Sequence, residues 1–176
     1  MIVQRTETHI IKESHPIYNW IVDECLRSRN LYNKTLFIYR QAFTRNHDKI
    51  EDFKSIIRHE KFISSFELVK QMAKLKDVDY YAMTKKNSGT QVVCQVDRTM
   101  KSWFASLKAY KKDSSKFRGR PRIPSYKKKD ELNCLIYTYV DAKLQKDGTI
   151  NISKKIKLPI HTNLKNFQQV RLVPKT

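Results

Sequence analysis

The stretch KFRGRPRIPSYKKKD, residues 116–130, divides the chain into two parts with different sequence patterns. On its N-terminal side, apolar residues recur mostly every three to five positions, which is typical of helices. On its C-terminal side, short β-branched and aromatic runs are separated by turn residues, which is typical of strands. We therefore expect a helical block, a basic connector and a group of strands, in that order.

The composition of this basic stretch predicts a surface that binds nucleic acid. Seven of its residues are cationic, and Asp130 is its first acidic residue. Arginines present forked donors to phosphate oxygens, and the rings of Phe117 and Tyr126 can stack on bases or cover sugars. Pro121 and Pro124 keep the backbone extended. The alternative interpretation is a solvated basic loop.

The whole chain is strongly basic, with 36 Lys and Arg against 17 Asp and Glu and a formal net charge of +19. Such an excess favours a polyanionic partner, of which nucleic acid is the first candidate and an anionic membrane surface the second. No uncharged apolar stretch reaches the roughly 18 residues that a transmembrane helix needs. The N-terminus does not resemble a signal peptide, so we expect a cytoplasmic protein without a membrane partner.

One long helix is predicted over residues 17–43, where no Gly or Pro interrupts the apolar period; a shift near 28–30 would divide it in two. Ser14 or His15 is expected to cap this helix, with Pro16 in its first turn.

Further helices are predicted over 64–76, which opens with serines and Glu67, and over 90–110. Residues 44–52 and 77–88 are expected to connect helices, and 53–62 is a weaker helix candidate.

Strands are predicted at both ends of the chain. Residues 3–12 form a short β-prone run, and 132–140 is β-branched and aromatic. The Asp-Gly turn at 146–148 predicts a hairpin. Two more strands are expected in IKLPI, residues 156–160, and QVRLVP, residues 169–174. The predicted fold class is α+β, in which the first strand pairs with the late ones and the helical block is inserted into a small antiparallel β-barrel or sheet.

Several segments carry the motifs of one known family: THIIKESHPIY (8–18), LRSRNLYNKTLFIYRQAF (26–43), FELVKQMAKLK (66–76), QVVCQVDRTMKSWFASLKAYKKD (91–113), GRPRIPSYKKKDELNCLIYT (119–138), IKLPI (156–160) and VRLVPK (170–175). In this order they resemble the N-terminal half of the transposon-encoded TnpB (OrfB) family of RNA-guided nucleases, which are related to type V CRISPR effectors. The most specific segment is 119–138, which begins with a stretch similar to the family's G-[RK]-P-[RK]-x-P-x-[YF]-K connector.

This resemblance implies a wedge-type, OB-like β-barrel interrupted by a helical recognition lobe. Residues 1–13 would begin the barrel, 14–113 would form the lobe, and 114–176 would supply the basic connector and the remaining strands. The family's RuvC-like nuclease domain, which holds divalent metal on two Asp and one Glu, would follow VRLVPK. We therefore expect this chain to be a non-catalytic half with no catalytic residue or cofactor of its own, since Mg²⁺ belongs to the nuclease domain.

The resemblance also implies the partners, which are a guide RNA, DNA and a RuvC-containing C-terminal half. Contacts with nucleic-acid backbones are expected from Lys116, Arg118, Arg120, Arg122, Lys127, Lys128, Lys129, Lys108 and Lys112. The motif beside the DNA target would be read by Ser65, Phe66, Lys70, Lys86, Thr90 and Gln91. Gln91 can instead be an exposed helix-start residue, and Phe66 a core residue.

Other aromatic and polar residues are expected to be structural. Arg29, Tyr32 and Asn33, in the family's R-x-x-YN helix, could contact a ligand. We instead predict that Tyr32 and Asn33 pack the lobe, and the role of Arg29 stays open. Trp103 and Phe104 could stack on bases, but their spacing with Met100 and Leu107 predicts burial in the core.

The five histidines, and the cysteines at 25, 94 and 134, have no metal-ligand spacing, so no metal site is expected. An alternative to the guided-nuclease half is a freestanding sequence-specific DNA-binding or regulatory module, as a monomer or a dimer.

Overall fold

A computed structural model describes residues 6–58 and 62–174 of the chain. Four helices and seven strands follow one another in these ranges: α1 (Tyr18–Phe43), β1 (Ile57–Arg58), β2 (Phe62–Ile63), α2 (Ser65–Lys74), α3 (Val78–Ala82), α4 (Lys86–Lys112), β3 (Leu135–Thr138), β4 (Lys143–Leu144), β5 (Thr149–Asn151), β6 (Lys157–His161) and β7 (Gln169–Leu172). The predicted α+β class is confirmed.

Helix α1 is continuous over its 26 residues, so the segment 28–30 contains no break. Ile17 occupies the cap position, and no side chain caps the helix there. The predicted cap at Ser14 or His15 is therefore wrong in position, although His15 Nδ1 accepts a hydrogen bond from the Ile17 amide at 3.2 Å. A ring nitrogen just before the helix thus satisfies one of its unpaired N–H groups.

Helix α4 extends beyond its predicted bounds to 27 residues and buries Val92, Val93, Val96 and Met100. Its last turn carries two lysines, which interact favourably with the C-terminal end of the helix dipole. Contacts between corresponding ends show that α1 and α4 run in the same direction. Glu24 contacts Thr84, just before α4 begins, and Phe43 at the end of α1 contacts Trp103.

The segment between these two helices differs from its prediction. The α-helix predicted over 53–62 is absent from 53–58 and 62, because a 3₁₀ segment His47–Ile56, kinked at Ile50, leads into the antiparallel pair β1–β2. Residues 59–61 lie outside the described part. The predicted connector at 77–88 contains α3, which Asp77 caps by accepting a hydrogen bond from the Tyr80 amide at 3.1 Å. Local capping chemistry therefore shaped a helix where the apolar period was too short to reveal one.

The late strands form two small antiparallel sheets, β3–β7 and β4–β5–β6. The predicted Asp-Gly turn connects β4 to β5, and the Gln145 amide donates to the Thr149 carbonyl at 2.8 Å. Gly148 has a φ of 80°, and a Cβ there would lie 2.6 Å from the Thr162 carbonyl oxygen. Glycine is required here by both its backbone conformation and its close contact.

Within the described residues, none of the sheets closes into a barrel. The strand predicted over 3–12 is absent from 6–12, and residues 3–5 lie outside the described part. The N-terminal segment nevertheless contacts the late strands, because Thr162 donates a hydrogen bond to Glu7 at 2.6 Å. This bond lowers the pKa of the Glu7 carboxyl. A side-chain contact thus takes the place of the expected strand ladder.

The Glu24 carboxylate, which is fully buried, connects the helices to the strands. It accepts hydrogen bonds from Thr84 Oγ1 at 2.5 Å and from the Tyr137 hydroxyl at 3.2 Å, and Arg27 pairs with it at 3.0 Å. Burial, together with the Glu24 charge, raises the pKa of Tyr137. A buried carboxylate needs such donors because its desolvation is costly. The network therefore holds α1, the loop before α4 and β3 in one arrangement.

We expect Glu24→Ala to lower the free energy of unfolding by about 3–5 kcal/mol, because the remaining donors would be buried without their charged acceptor. Tyr137→Phe removes one donor and should cost about 1 kcal/mol. Urea unfolding followed by circular dichroism measures both, with Asp23→Ala, at the exposed neighbouring position, as the control. Equal stabilities of the Glu24 and Asp23 variants would contradict the role given to Glu24.

Candidate nucleic-acid interface

The basic stretch lies along α1 and α4, and their side chains bind its backbone. The Trp103 indole donates to the Pro121 carbonyl at 3.2 Å. Asn33 donates to the Lys127 carbonyl at 2.9 Å and accepts from the Lys127 amide at 2.8 Å. Arg29 donates to the Lys129 carbonyl. The path of this segment is therefore set by backbone contacts, which leave most of its cationic side chains uninvolved.

Asn33 binds Lys127 through both of its amide atoms, as a neighbouring β-strand would. The preceding residue, Tyr32, is buried, and the Lys127 ammonium lies 5.4 Å from the centre of the Tyr32 ring. The predicted structural role of Tyr32 and Asn33 is confirmed. Arg29, whose role was open, also binds backbone, so this face of α1 holds the basic stretch in place.

Arg118, Arg120 and Arg122 are exposed, whereas Phe117 before them and Pro121 among them are partly buried against the protein. No carboxylate in the described ranges lies within 4 Å of these three guanidinium groups. Proline restricts the residue before it to extended conformations, which applies to Arg120. Three forked cations therefore project from a backbone that is held at one side.

The other residues predicted to bind nucleic-acid backbones differ in their ion pairing and in their exposure. Lys116 pairs with Asp113 at 3.2 Å, and hydrogen bonds from Ser115 and Lys116 lower the pKa of Asp113. Lys127 is partly buried beside Tyr32, as described above, whereas the remaining four are exposed: Lys108, Lys112, Lys128 and Lys129. Lys108 follows Trp103 by about 7.5 Å along α4.

An aromatic group lies at the same end of the molecule. Phe43 contacts the rings of Trp103 and Phe104, with centroid distances of 5.2 and 5.4 Å. Trp103 is partly buried against the core, whereas Phe104 is 38% exposed. The predicted burial of Phe104 is therefore wrong. Phe104 has the helical spacing of a core residue. It is nevertheless partly exposed, because α1 ends at Phe43 and no longer covers this face of α4 beyond that point.

The residues predicted to read the target-adjacent motif lie on two helices, α2 and α4. Lys86 and Thr90 lie near Tyr80 and Tyr81, where the Thr90 hydroxyl is 3.2 Å from that of Tyr80. Tyr81 contacts the carbonyl of Ala73, near the end of α2. Phe66, at the start of α2, is about 10 Å from Ala73 along the helix axis.

Their accessibility also differs. Phe66 is 70% exposed, so its alternative interpretation as a core residue is wrong. Lys70 and Lys86 are exposed, Thr90 and Gln91 are partly buried, and Ser65 is buried. The exposed members of the predicted set are therefore Phe66, Lys70 and Lys86.

Sequence reasoning missed two stacked cations. The Arg40 guanidinium lies 4.8 Å from the centre of the Tyr126 ring, and the Lys86 ammonium lies 4.6 Å from that of Tyr81. Helical spacing could have predicted the first of these contacts. Arg29, Asn33 and Arg40 share one face of α1, and the structure shows that all three contact the basic stretch.

Among the described residues, no group of three or more His, Cys, Asp or Glu side chains could hold a metal ion. In the same residues, no helix has both the length and the apolar character to cross a membrane. The three cysteines are unpaired thiols.

No protein-family model matches this chain, and neither a curated protein nor a solved structure does.

We expect Cys25 to react slowly with iodoacetamide at pH 8, because burial raises the pKa of its thiol to about 12 and only the thiolate is nucleophilic. Mass spectrometry of the alkylated peptides should show faster labelling of Cys94 and Cys134, which are only partly buried. In concentrated urea the three rates should converge. Labelling of native Cys25 as fast as Cys94 would contradict the buried position.

Replacing Asn33 with Ala should loosen the basic stretch without unfolding the protein. Two hydrogen bonds to Lys127 are lost, each contributing about 1 kcal/mol. The Lys127 amide, which donates to Asn33, should then exchange its hydrogen at least about tenfold faster by NMR. Asn19→Ala, at an exposed position of α1, is the control. An unchanged exchange rate would show that Asn33 does not hold the stretch.

Proposed function

We propose that this chain is the nucleic-acid-binding part of a TnpB-like RNA-guided DNA endonuclease. The observation that carries the proposal is the set of exposed guanidinium groups at Arg118, Arg120 and Arg122, which have no described carboxylate partner and project from an anchored backbone. Arginine forks match phosphate oxygens, and a net charge of +19 favours a polyanion. Phosphates of the guide RNA scaffold, or of the guide–target duplex, are the proposed ligands.

The late strands and the N-terminal segment would together make the wedge-type barrel. The support for this is the pairing of β3 with β7 and of β5 with β6, together with the Glu7–Thr162 hydrogen bond that brings the N-terminal segment to the end of β6. The helices would form the recognition lobe. Cleavage and Mg²⁺ would belong to a RuvC-like part that acts with this chain on DNA in the cytoplasm.

Reading of the target-adjacent motif would fall to the accessible residues of the predicted set. Phe66 and Lys70 are four residues apart on α2, so they share one exposed face, and Lys86 is exposed beside Tyr81. An exposed phenylalanine can contact a thymine methyl group or wedge against a base step, and lysine can contact guanine acceptors. Ser65 and Thr90 would instead position the ends of their helices.

Mobility-shift titrations test the proposal with four probes: a structured RNA hairpin, single-stranded DNA, duplex DNA and anionic phospholipid vesicles in a sedimentation assay. We expect RNA to bind most tightly, with an affinity that falls steeply between 50 and 200 mM salt, since several phosphate contacts release counterions. No binding to nucleic acid at about 100 mM salt, or a preference for vesicles, would overturn it. Sequence-specific binding to duplex DNA without RNA would favour a freestanding regulatory module.

Changing Arg118, Arg120 and Arg122 together to Ala should weaken RNA and DNA binding broadly and reduce the salt slope by about 2–3, which is close to one unit for each phosphate contact. The circular dichroism spectrum should not change, because these side chains are exposed.

The matched control is a triple Lys→Ala change at Lys154, Lys155 and Lys157, three exposed cations in and beside β6. It removes the same net charge from a different surface. If the two triple variants lose affinity equally, the effect is one of total charge, and the specific role of the arginines is refuted.

A further inference from the structure

Tyr126 is an exposed ring in the middle of the anchored basic stretch. It is 39% exposed, and the Arg40 guanidinium lies 4.8 Å from the centre of its ring. The Tyr126 hydroxyl forms no hydrogen bond with any residue in the described ranges. Since the guanidinium covers part of the ring, its exposed area includes the remaining face or edge. Part of the Tyr126 side chain is therefore accessible to a ligand from solvent.

The position of this ring is set by its neighbours on both sides. Asn33 binds both backbone groups of Lys127, the next residue, and Trp103 binds the Pro121 carbonyl five residues earlier. The ring contact with Arg40 adds a third point on the rigid α1 helix. A ligand that stacks on Tyr126 therefore meets a ring that is already ordered, so little entropy is lost on binding.

The surroundings of Tyr126 favour a ligand that is both flat and anionic. Arg40 forms no ion pair with a carboxylate in the described part of the chain, so its charge is not neutralised. Phe43, one turn after Arg40, contacts Phe104, which offers a second partly exposed ring. The unpaired arginines at Arg120 and Arg122 lie in the same stretch. Rings and guanidinium groups together match a nucleotide, with its planar base and its phosphate.

We propose that Tyr126, backed by Arg40, is a stacking site for an unpaired nucleobase of the strand whose phosphates contact the basic stretch. The proposal rests on the proposed function and adds that the bound nucleic acid is single-stranded at this site. Bases inside a duplex are already stacked on their neighbours, so an exposed ring favours single-stranded segments, bulges or ends. Stacking on a tyrosine tolerates every base, because each has a π-face. The source of the base is an RNA or a DNA single strand.

The test compares the wild type with Tyr126→Ala and Tyr126→Phe in fluorescence-anisotropy titrations. The probes are single-stranded RNA, single-stranded DNA and a duplex of the same length. Tyr126→Ala should weaken binding to a single strand about 5- to 150-fold, because stacking contributes about 1–3 kcal/mol per base. Its salt slope should not change, because no charge is removed. Tyr126→Phe keeps the ring and should bind as the wild type does.

The control is Tyr139→Ala, which removes a ring that is 64% exposed at the end of β3. Tyr139 lies far from the proposed stacking site. The Asn133 amide, just before β3, donates a hydrogen bond to the Cys25 carbonyl of α1. Cys25 and Arg40 are about 22 Å apart along that helix. Tyr139→Ala should bind single strands as the wild type does. The RNA and DNA arms identify which strand supplies the base, and an abasic probe series identifies which position loses its effect in Tyr126→Ala.

The outcomes separate this inference from the proposed function. If the wild type binds nucleic acid with a steep salt slope and Tyr126→Ala binds single strands equally well, the stacking site is refuted and the proposed function stands. Equal losses for single strands and duplex, or a reduced salt slope, would also refute it, since the ring would then act through the backbone. If the wild type binds no nucleic acid, both fall.

Discussion

The buried Glu24 carboxylate is the interaction on which the arrangement of the two parts of the chain depends. Its donors come from the loop before α4 and from β3, which are far apart in sequence. A buried charge must be matched by donors in fixed positions, whereas apolar contacts alone tolerate several packings. Near this network, Asn133 of the strand-bearing half binds Ser28 of α1 at 2.9 Å and Gln95 of α4 at 3.2 Å. Polar contacts therefore fix how the strands dock on the helices.

Helix α1 connects this network to the candidate interface. One face carries Glu24 and Ser28 toward β3, and another presents Arg29, Asn33 and Arg40 to the basic stretch. Since a helix is stiff over its length of about 39 Å, an ordered junction at one end also orders the surface at the other. The candidate interface is therefore a set of exposed cations on an anchored backbone. Preorganised cations lose less entropy on binding phosphate than those on a flexible tail.

Much of the fold was predictable from local patterns. The long apolar periods specified α1 and α4 closely, since a helix of more than 20 residues leaves a strong periodic signal. The Asp-Gly turn specified the β4–β5 hairpin, because few residues other than glycine adopt a φ of 80°. The elements β1, β2 and α3 were missed, because each has five residues or fewer, too few for a period to be read. The late strands are equally short, but their β-branched and aromatic composition and the Asp-Gly turn marked them.

Some features of the candidate site were likewise predictable from the sequence, and others depend on the tertiary structure. The amino-acid sequence by itself determined the cationic character of residues 116–130, the backbone preference that its prolines impose and the structural role of Tyr32 and Asn33. Tertiary structure decided which side chains are accessible: Phe66 and Phe104 are exposed, and Ser65 is buried. It also decided that Arg40 stacks on Tyr126. Charge and backbone preference are properties of individual residues and their neighbours, whereas exposure depends on where distant elements end, as α1 does at Phe43, and no local pattern contains that information.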